Sequence, residues 1–303
     1  MDTILLAAAL LPALALMVFV YSRDRVEKEP AGLVARVFFL GAGSGIVAGL
    51  IESILIGSVE ALLPQGLLLI IIEYFVCVAA VEEACKLFCL NTVKKRPEFD
   101  YVFDAVVYSV AAALGFAALE NVFYVLDGGL ETAIMRAVLS VPGHAADGVV
   151  MGVFYGLARQ RELHGNKAGA RSYYWLAFLL PTIEHGFYDA ALSMDSDAMA
   201  LIAIAVDLAF IGLAFVLVKR TAAKDAPLHP RGTVSGYGAG SPIAPNVTAT
   251  PSAHVAPTRS SAPVAPIASS RSVSTSASWV CPRCGASCSG NFCGNCGSAR
   301  PSK

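Results

Sequence analysis

The chain has 303 residues, of which 56% are hydrophobic and only 15% charged. A soluble domain carries about 25% charged residues, so this composition excludes an ordinary water-soluble globular protein. The charges gather in short clusters and in the tail, as in a polytopic membrane protein, while a net charge of -1 selects no class of partner.

The first apolar run, residues 4–22, follows the acidic start Met1-Asp2-Thr3. A secretory signal would begin with basic residues and end at a small-residue cleavage site, so the run reads as a retained helix. Further apolar segments at 35–57, 67–90, 102–126, 132–158, 173–193 and 198–218 each reach the roughly 20 residues that span a bilayer. The expectation is an all-α polytopic membrane protein with seven transmembrane helices over residues 1–220. Alternate loops carry the basic residues: Arg23, Arg25 and Lys28, then Lys94, Lys95 and Arg96, then Arg159, Arg161, Lys167 and Arg171, then Lys219, Arg220 and Lys224. The intervening loops 58–66, 127–131 and 194–197 have none. The positive-inside rule therefore puts the N-terminus outside the cell membrane and the C-terminus in the cytoplasm.

Beyond the helices, residues 221–280 are rich in Pro, Ser, Ala, Thr and Gly and read as a disordered cytoplasmic linker. The tail closes with Cys281-Pro-Arg-Cys284-Gly and Cys293-Gly-Asn-Cys296-Gly. Two Cys-x-x-Cys knuckles, each followed by glycine, have the spacing of a tetrahedral thiolate site, which predicts a zinc ribbon with structural zinc over 281–297. Cys288 falls outside the knuckles. The ribbon lacks a basic, aromatic surface, so it is expected to dock a cytoplasmic protein rather than nucleic acid.

The chemistry lies inside the apolar segments. The third contains Val81-Glu82-Glu83-Ala84-Cys85-Lys86, and an ionised carboxylate in hydrocarbon costs at least a few kcal/mol, so the pair needs a polar interior. Lys86 is one helical turn after Glu82, and Glu83 points roughly 100° away. Lys86 is thus expected to hold Glu82 and to leave Glu83 free as a general base. Cys77, Cys85 and Cys89 read as small buried residues. The fourth segment carries Glu120-Asn121, the fifth His144 and Asp147, and the sixth His185 with Asp189 one turn on. A hydrogen bond between helices would explain any one of these, but four consecutive helices with polar groups near mid-membrane point to chemistry.

Peptide hydrolysis would suit this set. Carboxylates and histidines can act by general acid–base catalysis, or His144 and His185 can hold a catalytic zinc whose water ionises near neutral pH, with Asp189 or Asp147 orienting the imidazoles. Straight helices leave Glu82 and Glu120 about 14 Å apart in depth, so Glu83, His144 and His185 form the tightest expected trio. Glu52, Glu73 and Arg136 lie near the outer ends of their segments, where Arg136 competes for Glu120. Asp207 is expected to make a hydrogen bond facing the bundle. A proton- or cation-coupled transporter or sensor is the alternative, but internal repeats are not evident; a scaffold recruiting partners through the ribbon is another.

Taken in order, Glu82-Glu83-x-x-Lys86, Phe116-x-x-x-Glu120-Asn121, His144 and His185-x-x-x-Asp189 resemble the PrsW family of membrane proteases, as does Arg25-Val-Glu-Lys-Glu-Pro30 after the first helix. The resemblance covers about residues 1–220, and that family is related to the CAAX prenyl proteases. It implies an intramembrane endopeptidase that clips membrane-anchored regulatory proteins such as anti-sigma factors, with catalytic function on Glu82, Glu83, Glu120, His144 and His185. Lys86, Asn121 and Asp189 belong to the same motifs. Whether a metal or a glutamate-activated water does the work stays open from the sequence.

Overall fold

The computed structural model describes residues 2–229, and a short strand pair near the C-terminus. Eight α-helices follow in order: α1 (Asp2–Arg23), α2 (Ala31–Leu62), α3 (Leu67–Ile71), α4 (Ala80–Asn91), α5 (Val102–Val138), α6 (Ser140–Leu163), α7 (Lys167–Ser193) and α8 (Asp197–Ala223). A π-helix, Ile72–Ala79, joins α3 to α4. In the second unit, β1 (Trp279–Val280) pairs antiparallel with β2 (Ser287–Cys288). The linker from 231 to 278 and the cysteines Cys281, Cys284, Cys293 and Cys296 lie outside the described residues.

Among the described residues, four helical stretches are long and apolar enough to cross a membrane: Thr3–Arg23, Ala31–Leu62, Val102–Leu163 and Asp197–Ala223. The chain is therefore a multi-pass membrane protein. The third stretch covers both the fourth and the fifth expected segments. Its 62 residues would run about 93 Å as a straight helix, three times the hydrocarbon thickness, so it has to fold back. Gly129 breaks it with φ 73°, a conformation that a residue with a Cβ adopts only under strain. A second break separates α5 from α6 at Leu139. The expected fifth segment, 132–158, is thereby corrected: α6 begins at Ser140, which puts His144 in its second turn rather than near its middle.

Burial separates the centre of the bundle from its rim. The apolar core of the α5–α6 stretch is 94% buried, against 22% for α1, α2 and α8. Phe39, Ile54 and Leu201 on those outer helices stay exposed, which in lipid costs nothing. Small residues bring the central backbones together. A Cβ on Gly148, Gly152 or Gly156 of α6 would meet Val110, Val106 or Val102 of α5, and at Gly152 it would come within 2.5 Å of the Val106 Cα. The order of these contacts makes α5 and α6 antiparallel. Gly41 of α2 meets Ala112, and Gly115 of α5 meets Phe38, in the same way.

The expected linker boundary at 221 is also corrected. α8 continues to Ala223, and the following residues return to the start of α5. Asp225 Oδ1 accepts from the Phe103 N–H at 2.9 Å, so it caps an orphan donor of that helix. The Leu228 N–H donates to the Asp100 carbonyl, and the Leu228 side chain is fully buried. An apolar anchor four residues into a Pro/Ala-rich tail is too small a signal for composition to register.

Candidate active site

Three devices converge on one cavity. The first is the π-helix, whose wider turn resets the helical phase just before Glu82 and Glu83. The second is Gly186 of α7. A Cβ there would come within 3.0 Å of the Phe75 Cα, so the missing side chain lets α7 press against the π-helix and carry in His185. The third is the antiparallel α5–α6 pair. Side chains tilt toward the N-terminus of their own helix, so Glu120 leans back along α5 while His144 leans the other way along α6, and the two meet. Through His144, which also reaches Lys86, Glu120 is thereby brought to the same cavity as Glu82 despite the depth difference expected from straight helices.

The resulting cluster is compact. Lys86 Nζ donates to Glu83 Oε1 at 2.6 Å and to Glu82 Oε2 at 3.3 Å, and lies 3.1 Å from His144 Nδ1. It also stands 4.6 Å from the centre of the Phe116 ring. His144 Nε2 is 2.9 Å from Glu120 Oε2, which also pairs with Arg136 at 2.8 Å. His185 Nδ1 meets Glu83 Oε1 at 3.0 Å, and its Nε2 is 3.3 Å from Asp189 and 3.8 Å from Glu82. The two imidazoles stand edge to face with ring centres 5.2 Å apart. Asn121 donates to the Ala9 carbonyl and accepts from Arg136 Nε, tying α5 to α1. An ammonium only donates, so His144 Nδ1 must accept and its proton sits on Nε2, directed at Glu120.

The split expected within the glutamate pair is corrected. Lys86 follows Glu83 by three residues and Glu82 by four, so one face of α4 serves both, and Glu83 is the closer partner. Glu83 is also fully buried and engaged by His185. Glu82, with the longer lysine contact and His185 Nε2 3.8 Å away, borders a cavity of about 1070 Å³ together with Glu120, His144, His185 and Asp189. The acid that faces open space is therefore Glu82.

Other expectations fare unevenly. Arg136 does hold Glu120, yet Glu120 reaches His144 as well. Glu52 and Glu73 line the cavity, as does Arg136. Asp189 contacts an imidazole, whereas Asp147 is buried with one oxygen unpartnered among the described residues. Asp207 makes no hydrogen bond through Oδ2 and borders the cavity beside Gly143. Cys77 and Cys89 are buried and Cys85 is half-buried. Glu184 is a further acid at the cavity, signalled in the sequence only by its charge beside His185.

One ligand atom each from Glu82, Glu83, His144 and His185 lies within 4.8 Å of the others, and all four side chains are buried. Carboxylate oxygens and imidazole nitrogens are the donor types of a catalytic metal centre, so the residues fit such an ion. Acids and imidazoles gathered from several membrane helices at one cavity define a hydrolytic centre within a membrane domain.

Comparison with known proteins gives the same class. Residues 29–219 match the family described as PrsW family intramembrane metalloprotease. The chain is 37% identical over 186 residues to Protease PrsW of Geobacillus kaustophilus, covering 61% of this chain and 78% of that protein. It is 35% identical to Protease PrsW of Oceanobacillus iheyensis, covering 62% and 82%, and 33% identical to that of Bacillus subtilis, covering 62% and 83%. No solved structure matches. The chain belongs to the PrsW family. It is an intramembrane peptidase, acting on membrane-anchored substrates in the bilayer.

Proposed function

We propose that this peptidase cleaves membrane-anchored regulatory proteins of the anti-sigma type, with Glu82 as general base and His185 as the proton donor to the leaving amine. The observation that carries the reading is the unequal setting of the two adjacent acids: Glu83 is enclosed by Lys86 and His185, and Glu82 borders the cavity. In this reading Glu82 Oε2 takes a proton from water. The 3.8 Å gap to His185 Nε2 is too long for a direct hydrogen bond and suits a bridging water. Asp189 holds His185 Nε2 toward the cavity while Glu83 fixes the other ring nitrogen. Glu120 and Lys86 orient His144, whose ring lines the wall where the scissile carbonyl would lie.

If a catalytic metal is present, Glu82, Glu83, His144 and His185 would hold it, with Glu82 and His185 then serving as ligands rather than as base and proton donor, and the mixed nitrogen and oxygen donor set favours zinc. When bound, such an ion supplies Lewis-acid polarisation of the carbonyl and lowers the pKa of water. A second zinc is structural and belongs to Cys281, Cys284, Cys293 and Cys296, on the strength of their spacing. The ribbon so formed serves to dock a cytoplasmic protein. The reading of seven membrane crossings, with the N-terminus outside and the C-terminus cytoplasmic, is supported by the alternation of basic loops and by the further helical segments at 67–91 and 167–193.

The test is cleavage of a membrane-anchored reporter by full-length wild type, Glu82→Gln and His185→Ala chains. Removing a general base should lower the rate about 10²–10⁴-fold, and undiminished cleavage by either variant would sink the assignment. Zinc analysis of a full-length chain with its four knuckle cysteines changed to serine reports on the membrane centre alone.

A further inference from the structure

A second buried cluster lies at the opposite end of α5 from the catalytic acids. Asp24 follows the last residue of α1, Glu29 closes the loop before α2, and Asp104 is in the first turn of α5. Each is at least 97% buried, with relative exposures of 2%, 3% and 1%. One oxygen from each lies within 4.8 Å of the others. Asp104 is sixteen residues from Glu120, about 24 Å along the helix, so this is a separate place in the molecule.

Three carboxylates withdrawn from water require compensation, and the ion pairs of the described residues include none of them. The neighbouring Lys28 turns away, donating from Nζ to the Tyr21 carbonyl at 2.6 Å and lying over the Tyr21 ring. Asp104 Oδ2 accepts from the Asp100 and Tyr101 N–H groups at 2.9 and 2.6 Å, and Glu29 Oε2 accepts from the Tyr108 hydroxyl. Glu29 and Asp104 also meet side chain to side chain, a contact between two acids that needs either a shared proton or a cation. Asp24 has no hydrogen-bond donor. Both of its oxygens are buried and unpartnered among the described residues, with the backbone of Glu27 and Glu29 close by but outside hydrogen-bond geometry. Protonation of one Asp24 oxygen would still leave the other buried without a donor. A cation would satisfy all three acids at once.

We propose that Asp24, Glu29 and Asp104 form a binding site for a hard divalent cation, calcium or magnesium, which clasps the end of α1 and the α1–α2 loop to the start of α5. All the ligands are oxygens, which selects these ions over zinc or copper. Calcium at 2.3–2.6 Å from each ligand allows oxygens up to about 5 Å apart across its shell, whereas magnesium at about 2.1 Å requires the cluster to tighten. The site is independent of the catalytic reading.

The experiment uses the full-length chain in detergent, stripped with chelator. Terbium serves as the calcium probe, with its luminescence excited through Tyr108, and calcium and magnesium chlorides are added as competitors. One saturable site is expected, displaced by calcium or magnesium and weakened at least about tenfold in Asp24→Asn and in Glu29→Gln. Calcium displacing at lower concentration than magnesium selects calcium, and the reverse selects magnesium. No sensitised luminescence in the wild type, or equal binding in both variants, overturns the proposal. Should the variants fail to fold, wild type decides alone: its thermal midpoint must rise with calcium or magnesium chloride and not with sodium chloride of equal ionic strength. A flat response overturns the proposal equally.

Discussion

A buried ammonium between two carboxylates adds little net stability, because desolvating three charges offsets most of their attraction. Removing one member is another matter, since the remainder stay buried and unpaired. Lys86→Met should therefore cost about 3–5 kcal/mol, read as a lowered unfolding midpoint of the detergent-solubilised chain. Glu83→Gln weakens the partners of both Lys86 and His185, so it should lower stability and cleavage together. Glu82→Gln, with its single longer contact to Lys86, should lower cleavage while moving the midpoint far less. Thermal melts run beside the cleavage assay separate the two glutamates; equal destabilisation would contradict their different settings. Such a distinction was not legible in the sequence. Positions three and four residues before a lysine both fall on its face, and only packing decides which acid is enclosed.

Helix contacts carry the next set of consequences. Gly186 lets α7 approach the π-helix closely enough for His185 to reach Glu83. Gly186→Val removes no catalytic group, yet it should push α7 outward, and a displacement near 1 Å can cost about 10²-fold in rate. Measuring cleavage beside the melting profile checks this, because a folded but slow enzyme is the expected outcome. At the centre of the bundle, Gly152→Val would force a side chain into the Val106 backbone and should cost at least about 1–3 kcal/mol. Gly49→Val on α2 meets nothing within 4 Å and should leave the midpoint nearly unchanged. The spacing Gly148-x-x-x-Gly152-x-x-x-Gly156 is visible in the sequence as a contact stripe, though not its partner helix.

For the molecule as a whole, the C-terminal return beyond α8 sets where the membrane unit ends. A chain ending after residue 229 keeps Asp225 and Leu228 and should unfold as the full-length protein does. One ending at 220 loses a fully buried leucine and a helix cap, about 2–5 kcal/mol together, and should melt earlier. The acid cluster at the same end predicts a pH dependence. Burial raises the carboxyls of Asp24 and Glu29 above their ordinary values and pushes the neighbouring Asp100 up to about 6. With folded values above unfolded ones, the stabilising contribution is full below about pH 3.8 for Asp100 and is lost as pH rises through 6. Bound calcium or magnesium offsets that loss for its ligands, so the gap between melting curves in cation and in chelator should widen from pH 5 to about pH 7.5. A gap that stays constant across this range would count against a cation bound by these acids.

The sequence by itself determined the membrane class, the order of the helical segments and which four consecutive ones carry the candidate catalytic groups. Those properties are local: hydropathy over about 20 residues and the helical period are written in neighbouring positions. The motifs around Glu82, Glu120, His144 and His185 also sufficed to reach the family. Only the tertiary structure decided that Glu120 meets His144, that Glu83 rather than Glu82 is the enclosed acid, and that Asp24, Glu29 and Asp104 converge. Each of these depends on helix phase, on the break at Gly129, on the later start of α6 or on how closely two backbones approach. A π-turn or a displaced helix start changes little in composition, yet it moves a side chain by several ångströms relative to its neighbours, and at a site built from four helices that displacement decides which groups touch.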